Sequence, residues 1–127
     1  LLPAHLVVEA LLLGAAVLIP TAVWIESGAV DALAALVAAT AGLHLLLVLG
    51  ENTLAHPTAH ARLAAQQMVR GKFRAFFWSG AVLVAIGLMT PWVPAPIGAA
   101  AAASAALVGL LAYEHAYVQA GQSVPLA

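Results

Sequence analysis

Three pairings of acid and imidazole stand out in a chain that otherwise offers few reactive groups: His5 with Glu9, His44 with Glu51, and Glu114 with His115. His5 and Glu9 are four residues apart and His44 and Glu51 seven, spacings that put each pair on one face of a helix. A stack of such groups can relay protons, because imidazole titrates near neutral pH and a neighbouring carboxyl can take the proton it releases. An ionised side chain at the centre of a bilayer costs about 2.5–3.5 kcal/mol even on the mild insertion scale, so each acid in an apolar run needs a reason. Glu9 lies in a purely apolar stretch and reads as a functional or partner-binding group. Glu114 and His115 can equally snorkel or bond a neighbouring helix. The candidates for a proton path or polar cavity are therefore Glu9, His44, Glu51 and Glu114, with His5 and His115 in support.

Other chemistries find less footing. Paired histidines on facing helices ligate b-type haem, and His44 could face His5 or His115. Their depths along the spans look unequal, however, and no helix repeats deep histidines, so haem is not expected. No metal-ligand set is read from the spacing: His56 and His60 flank Pro57 at a helix start and read as a polar helix opening. A Gly-rich phosphate loop, an HExxH motif and a Ser, His and Asp set that the spans could bring together are all lacking. Catalysis by this chain alone is not expected, and no cofactor is assigned to it.

The elements that must position these groups follow from composition. Of 127 residues, 65% are hydrophobic and 7% charged, with a net charge of -1 and no cysteine. Soluble domains carry roughly 25% charged residues, so these side chains cannot cover a water-exposed globule, and the chain belongs in a lipid bilayer. High hydropathy excludes global disorder. The near-neutral balance offers no surface for nucleic acid, and the lack of cysteine removes disulfides and thiolate metal sites.

A helix crosses a hydrocarbon core about 30 Å thick with roughly 20 apolar residues. Four stretches come near that length, about 1–25, 32–55, 74–93 and 97–119. Runs such as Ala99 to Ala103 do not alternate as membrane strands do, so the expected fold class is all-α: an integral-membrane, up-down four-helix bundle in a single domain. Between spans two and three, Pro57 can open a helix and Gly71 can end one, with His60, Arg62, Gln66, Gln67 and Arg70 roughly on one face. This reads as an interfacial helix over about 57–71. Because the four basic residues lie at 62–74, the positive-inside rule places that loop and both termini in the cytoplasm. The fourth span, rich in Ala with Ser104 and Gly109, presents a face for close helix packing, although an alanine-biased coding sequence would look the same. The chain opens at Leu1 inside an apolar run, which suggests a processed or partial polypeptide. A signal peptide fits poorly without a preceding basic segment.

Gly50-Glu51 ahead of Thr58-Ala59-His60, then Gly71, Phe77-Trp78-Ser79-Gly80, Gly87 and Pro91, and a tail of Ala120-Gly121-Gln122-Ser123-Val124-Pro125-Leu126 after Tyr113-Glu114-His115-Ala116-Tyr117-Val118, form a pattern. It resembles the NrfD/PsrC-like family of polysulfide reductase membrane subunits over the whole chain. The resemblance implies the C-terminal four-helix bundle of a longer protein whose N-terminal four-helix bundle would be a partner. It implies a membrane anchor of a quinone-linked oxidoreductase complex in a bacterial or archaeal inner membrane. Such an anchor exchanges electrons between menaquinone or ubiquinone and a ferredoxin-like iron-sulfur subunit, which serves a molybdopterin catalytic subunit. The anchor of such a family usually lacks haem, and its quinone pocket lies mainly in the N-terminal bundle. Two other classes stay open: a small non-redox membrane protein or transporter half, and a b-haem-binding membrane cytochrome. Against the transporter, the two halves of the chain show no matching pair of Gly/Pro-broken helices.

Overall fold

In the computed structural model, residues 2–125 are described, and among them every regular element is helical. Helix α1 spans Leu2–Ile25 and α2 spans Val30–Thr53, joined by a one-turn 3-10 segment at Ser27–Ala29. Helix α3 is Ala59–Val69, α4 is Arg74–Gly87, and α5 is Ile97–Ser123. A second 3-10 turn, Thr90–Trp92, precedes α5.

Two hairpins make the body of the fold. In the first, the start of α1 lies against the end of α2, with His5 beside Glu51 and Glu9 beside His44, so the helices run antiparallel. In the second, Gly80 meets Tyr113 while Gly87 meets Ala106, which makes α4 and α5 antiparallel as well. The hairpins pack α1 on α5 and α2 on α4, and α3 lies across one end on α5 and α4. The shared core is apolar and small: Leu12, Ala16 and Ile19 from α1, Val37 and Ala41 from α2, Val84 from α4, and Ala103, Ala106 and Leu110 from α5.

Three helices among the described residues, α1, the 3-10 turn with α2, and α5, are long and apolar enough to cross a membrane. At 1.5 Å per residue, the 24-residue α1 is about 36 Å long. The third expected span is shorter. Helix α4 has 14 residues, about 21 Å, and stops at Gly87 because Pro91 has no N–H to donate to the Gly87 carbonyl four residues behind it. The Thr90 hydroxyl takes that Gly87 carbonyl instead, at 2.6 Å, from a buried position. Segment 74–93 is thus a short helix plus two turns.

Other boundaries move for local reasons. Helix α2 begins at Val30 rather than 32, since Asp31 suits the first turn, where a carboxylate complements the helix dipole. The interfacial segment is narrower than expected: Thr58 caps α3 by accepting from the Ala61 amide at 3.1 Å, which leaves Pro57 outside. Arg62 and Gln66 are exposed on α3, as is Arg70 just past its end, His60 and Gln67 are half-buried, and Met68 is buried beneath. Helix α5 continues to Ser123, past the apolar stretch.

The outer surface is apolar. Trp24 at 88% and Trp92 at 73% exposure stand outward at one end, and Trp78 and Tyr117 at the other, an arrangement compatible with aromatic belts at two membrane interfaces. Small residues let α4 and α5 approach closely, as the sequence suggested. A Cβ at Gly109 would stand 2.7 Å from Leu83 Cβ and from the Val84 amide nitrogen, whereas one at Gly14 meets nothing within 4 Å. Gly109→Leu should therefore destabilise the fold by about 1–3 kcal/mol, and Gly14→Ala should leave it unchanged or slightly stabilised. Unfolding midpoints in mixed micelles check both.

Candidate functional site: a buried cluster of histidine and glutamate

Position along the hairpin decides which polar groups meet. Glu9 and His44 lie at similar chain distances from the turn between α1 and α2, so antiparallel pairing sets them at one level. Both side chains point inward, as do His5 and, from α5, Tyr113; all four are buried. With its proton on Nδ1, His5 donates to Glu51 Oε1 at 3.1 Å. His5 Nε2 stands 3.9 Å from Glu9 Oε1, and His44 Nδ1 stands 3.6 Å from the same oxygen. The His5 and His44 ring centroids are 4.9 Å apart, so the unequal depths read from the sequence do not hold. Tyr113 closes the cluster edge-on to His44 at 4.8 Å.

Glu114 on α5 is half-buried, with its carboxyl near that of Glu9. The cluster therefore joins three carboxyls and two imidazoles, with no Lys or Arg among the described residues forming an ion pair with it. Helix geometry forces this inward orientation: His5, Val8, Glu9 and Leu12 form the buried stripe of α1, and Ala41, His44 and Val48 that of α2. His115 is not part of it. It is exposed and packs on the Phe76 ring at 4.5 Å.

Three buried atoms of the cluster have no hydrogen-bond partner among the described residues: His5 Nε2, His44 Nδ1 and the Tyr113 hydroxyl. Unsatisfied buried polar groups cost about 1–3 kcal/mol each, so this is a stressed arrangement. One end opens outward. A pocket of about 440 Å³ is lined by Glu51, Asn52, His56, His60 and Tyr117 among apolar residues of α3 and α5. Glu51 thus belongs both to the pocket wall and to the buried cluster. His60 Nδ1 donates to the Pro125 carbonyl at 3.3 Å, holding the chain end against this rim.

Of the expected residues, Glu9, His44, Glu51, Glu114 and His5 converge, and His115 does not. Sequence reasoning missed Tyr113, whose place three and four residues after Leu110 and Gly109 on the packed stripe of α5 was the available signal. It also missed the pocket, which depends on where α3 folds back. No family model, curated protein or solved structure matches this chain.

Because the buried Tyr113 hydroxyl has no partner among the described residues, Tyr113→Phe should stabilise the fold, by up to about 1–3 kcal/mol, and raise the unfolding midpoint. His5→Leu should destabilise by about 1–3 kcal/mol, by removing the buried bond to Glu51. The same micellar titration compares the two.

Proposed function

We propose that the chain is a membrane-anchor half of a quinone-linked oxidoreductase complex and that its buried cluster transfers protons. The observation that carries this reading is the continuous series from the pocket inward: Glu51 to His5 at 3.1 Å, His5 to Glu9 at 3.9 Å, and Glu9 to His44 at 3.6 Å. Alternating carboxyl and imidazole at such spacing lets a proton hop with small side-chain adjustments, and a water in the pocket can supply it to Glu51. Ionisable groups facing the interior of apolar helices mark such relays. Glu114, beside Glu9, offers a second outlet on α5.

Support for the quinone link is the resemblance of the whole chain to NrfD/PsrC-like subunits, carried by motifs between residues 50 and 126. On this reading menaquinone or ubiquinone reacts mainly in an N-terminal four-helix bundle. Electrons pass to a ferredoxin-like iron-sulfur subunit and a molybdopterin catalytic subunit, and the present bundle adjusts the proton balance. The α4 segment with its two terminal turns forms the fourth crossing. Arg62, Arg70, Lys72 and Arg74 hold the end carrying α3 in the cytoplasm of a bacterial or archaeal inner membrane, so the pocket draws protons from that side.

The test is quinol-dependent turnover and proton uptake in the full complex carrying Glu9→Gln or Glu51→Gln. Each should slow proton uptake at least about tenfold, below the usual contribution of a positioned proton-transfer group, while His115→Ala should not. Unchanged uptake in both Gln variants would sink the relay.

A further inference from the structure

We infer that His5, Glu9 and His44 form a binding site for one divalent first-row transition-metal ion, with zinc as the best fit. Each offers one ligand atom, and the three atoms lie within 4.8 Å of one another inside the helix bundle. The two atoms that lack partners, His5 Nε2 and His44 Nδ1, are the ones facing Glu9 Oε1. Their residues are 3% and 1% exposed, so bulk water does not satisfy them.

The distances suit the ion. Zinc bound by imidazole nitrogen and carboxylate oxygen at about 2.0–2.2 Å in a tetrahedron sets neighbouring ligands roughly 3.3 Å apart. The observed 3.6 and 3.9 Å require contractions of about 0.3 and 0.6 Å, and the widest separation in the set, 4.8 Å, one of about 1.5 Å, which rotation of the two imidazole side chains must supply. Two nitrogens and one oxygen, with no thiolate, favour zinc and its neighbours over soft monovalent or all-oxygen cations.

Glu51 completes the argument from outside the ligand set. A histidine that binds a metal through one ring nitrogen commonly donates its other N–H to a carboxylate, which fixes the tautomer and strengthens the ligand. His5 does this: Nδ1 faces Glu51 at 3.1 Å, leaving the Nε2 lone pair directed at Glu9. The carboxylates of Glu9 and Glu51 supply two negative charges to balance a dication in an apolar surround. Binding would occupy the lone pairs that the relay uses, so the ion acts there as a block. That consequence rests on the proposed relay, whereas the binding itself does not.

The experiment is titration of the detergent-purified protein, in the complex in which it is isolated and after chelation, with Co²⁺ followed by visible absorption and then displaced by Zn²⁺. One equivalent per chain should bind with the intense bands of a low-coordinate site. Binding should persist in a His56→Ala, His60→Ala double variant, vanish in His44→Ala, and weaken by about 10–100-fold in Glu51→Ala. Circular dichroism checks that helix content is kept; if His44→Ala does not fold, the Glu51→Ala affinity decides. No stoichiometric binding, binding that survives His44→Ala, loss in the surface double variant, or an unchanged Glu51→Ala affinity overturns the site. Normal proton uptake by Glu9→Gln, together with one-equivalent cobalt binding in the wild type, would remove the relay and keep the metal; the reverse would do the opposite.

Discussion

The fold depends on how polar groups are neutralised where no basic side chain can do it. His5, Glu9, His44 and Glu51 are drawn from the two arms of one hairpin, and each finds a polar neighbour within that set. Removing the α1–α2 pairing would leave imidazoles and carboxyls in an apolar environment with nothing to bond. Their pairing, above all the His5–Glu51 hydrogen bond, therefore fixes the register of the hairpin more firmly than the small apolar side chains around them can. Alanine and valine contacts tolerate sliding; a hydrogen bond at 3.1 Å does not.

The other hairpin works by a different principle. Helices α4 and α5 touch backbone to backbone, with the Gly80 and Gly109 positions facing across the contact, so they gain dispersion over many atoms without large side chains. Four residues beyond Gly109, Tyr113 sits on the same stripe and reaches the two histidines. Close packing of the second hairpin is thus what brings an aromatic wall to the polar cluster of the first.

Much of this was legible from residue types. Apolar runs gave the long helices, the spacing of His5 and Glu9 gave a shared face, and Glu9 stood out because an acid is costly in such surroundings. Three features were not legible. The early end of α4 depends on a competition at Gly87 between helix continuation and the Thr90 hydroxyl, and hydropathy carries no information about it. The common level of His5 and His44 is a property of hairpin pairing, which the helix count along a single span misses; the turn length held the signal. His115 follows Glu114 directly and so points to another face, a fact of helical angle that adjacency in sequence obscures.

The stressed atoms of the cluster bear on what it does. A purely structural polar network would be expected to close its hydrogen bonds, because an open bond in an apolar interior costs more than the bond contributes when made. Here Glu51 and His5 close theirs while His5 Nε2 and His44 Nδ1 face one carboxylate oxygen from just beyond bonding distance. Such a gap suits something that comes and goes. On the proposed relay a proton would shorten one contact at a time and move on; a bound dication would draw all three groups together and stay. Both use the same lone pairs, so the site cannot serve both at once. Glu51 stands between the pocket and the interior, lining the one and bonding to the other.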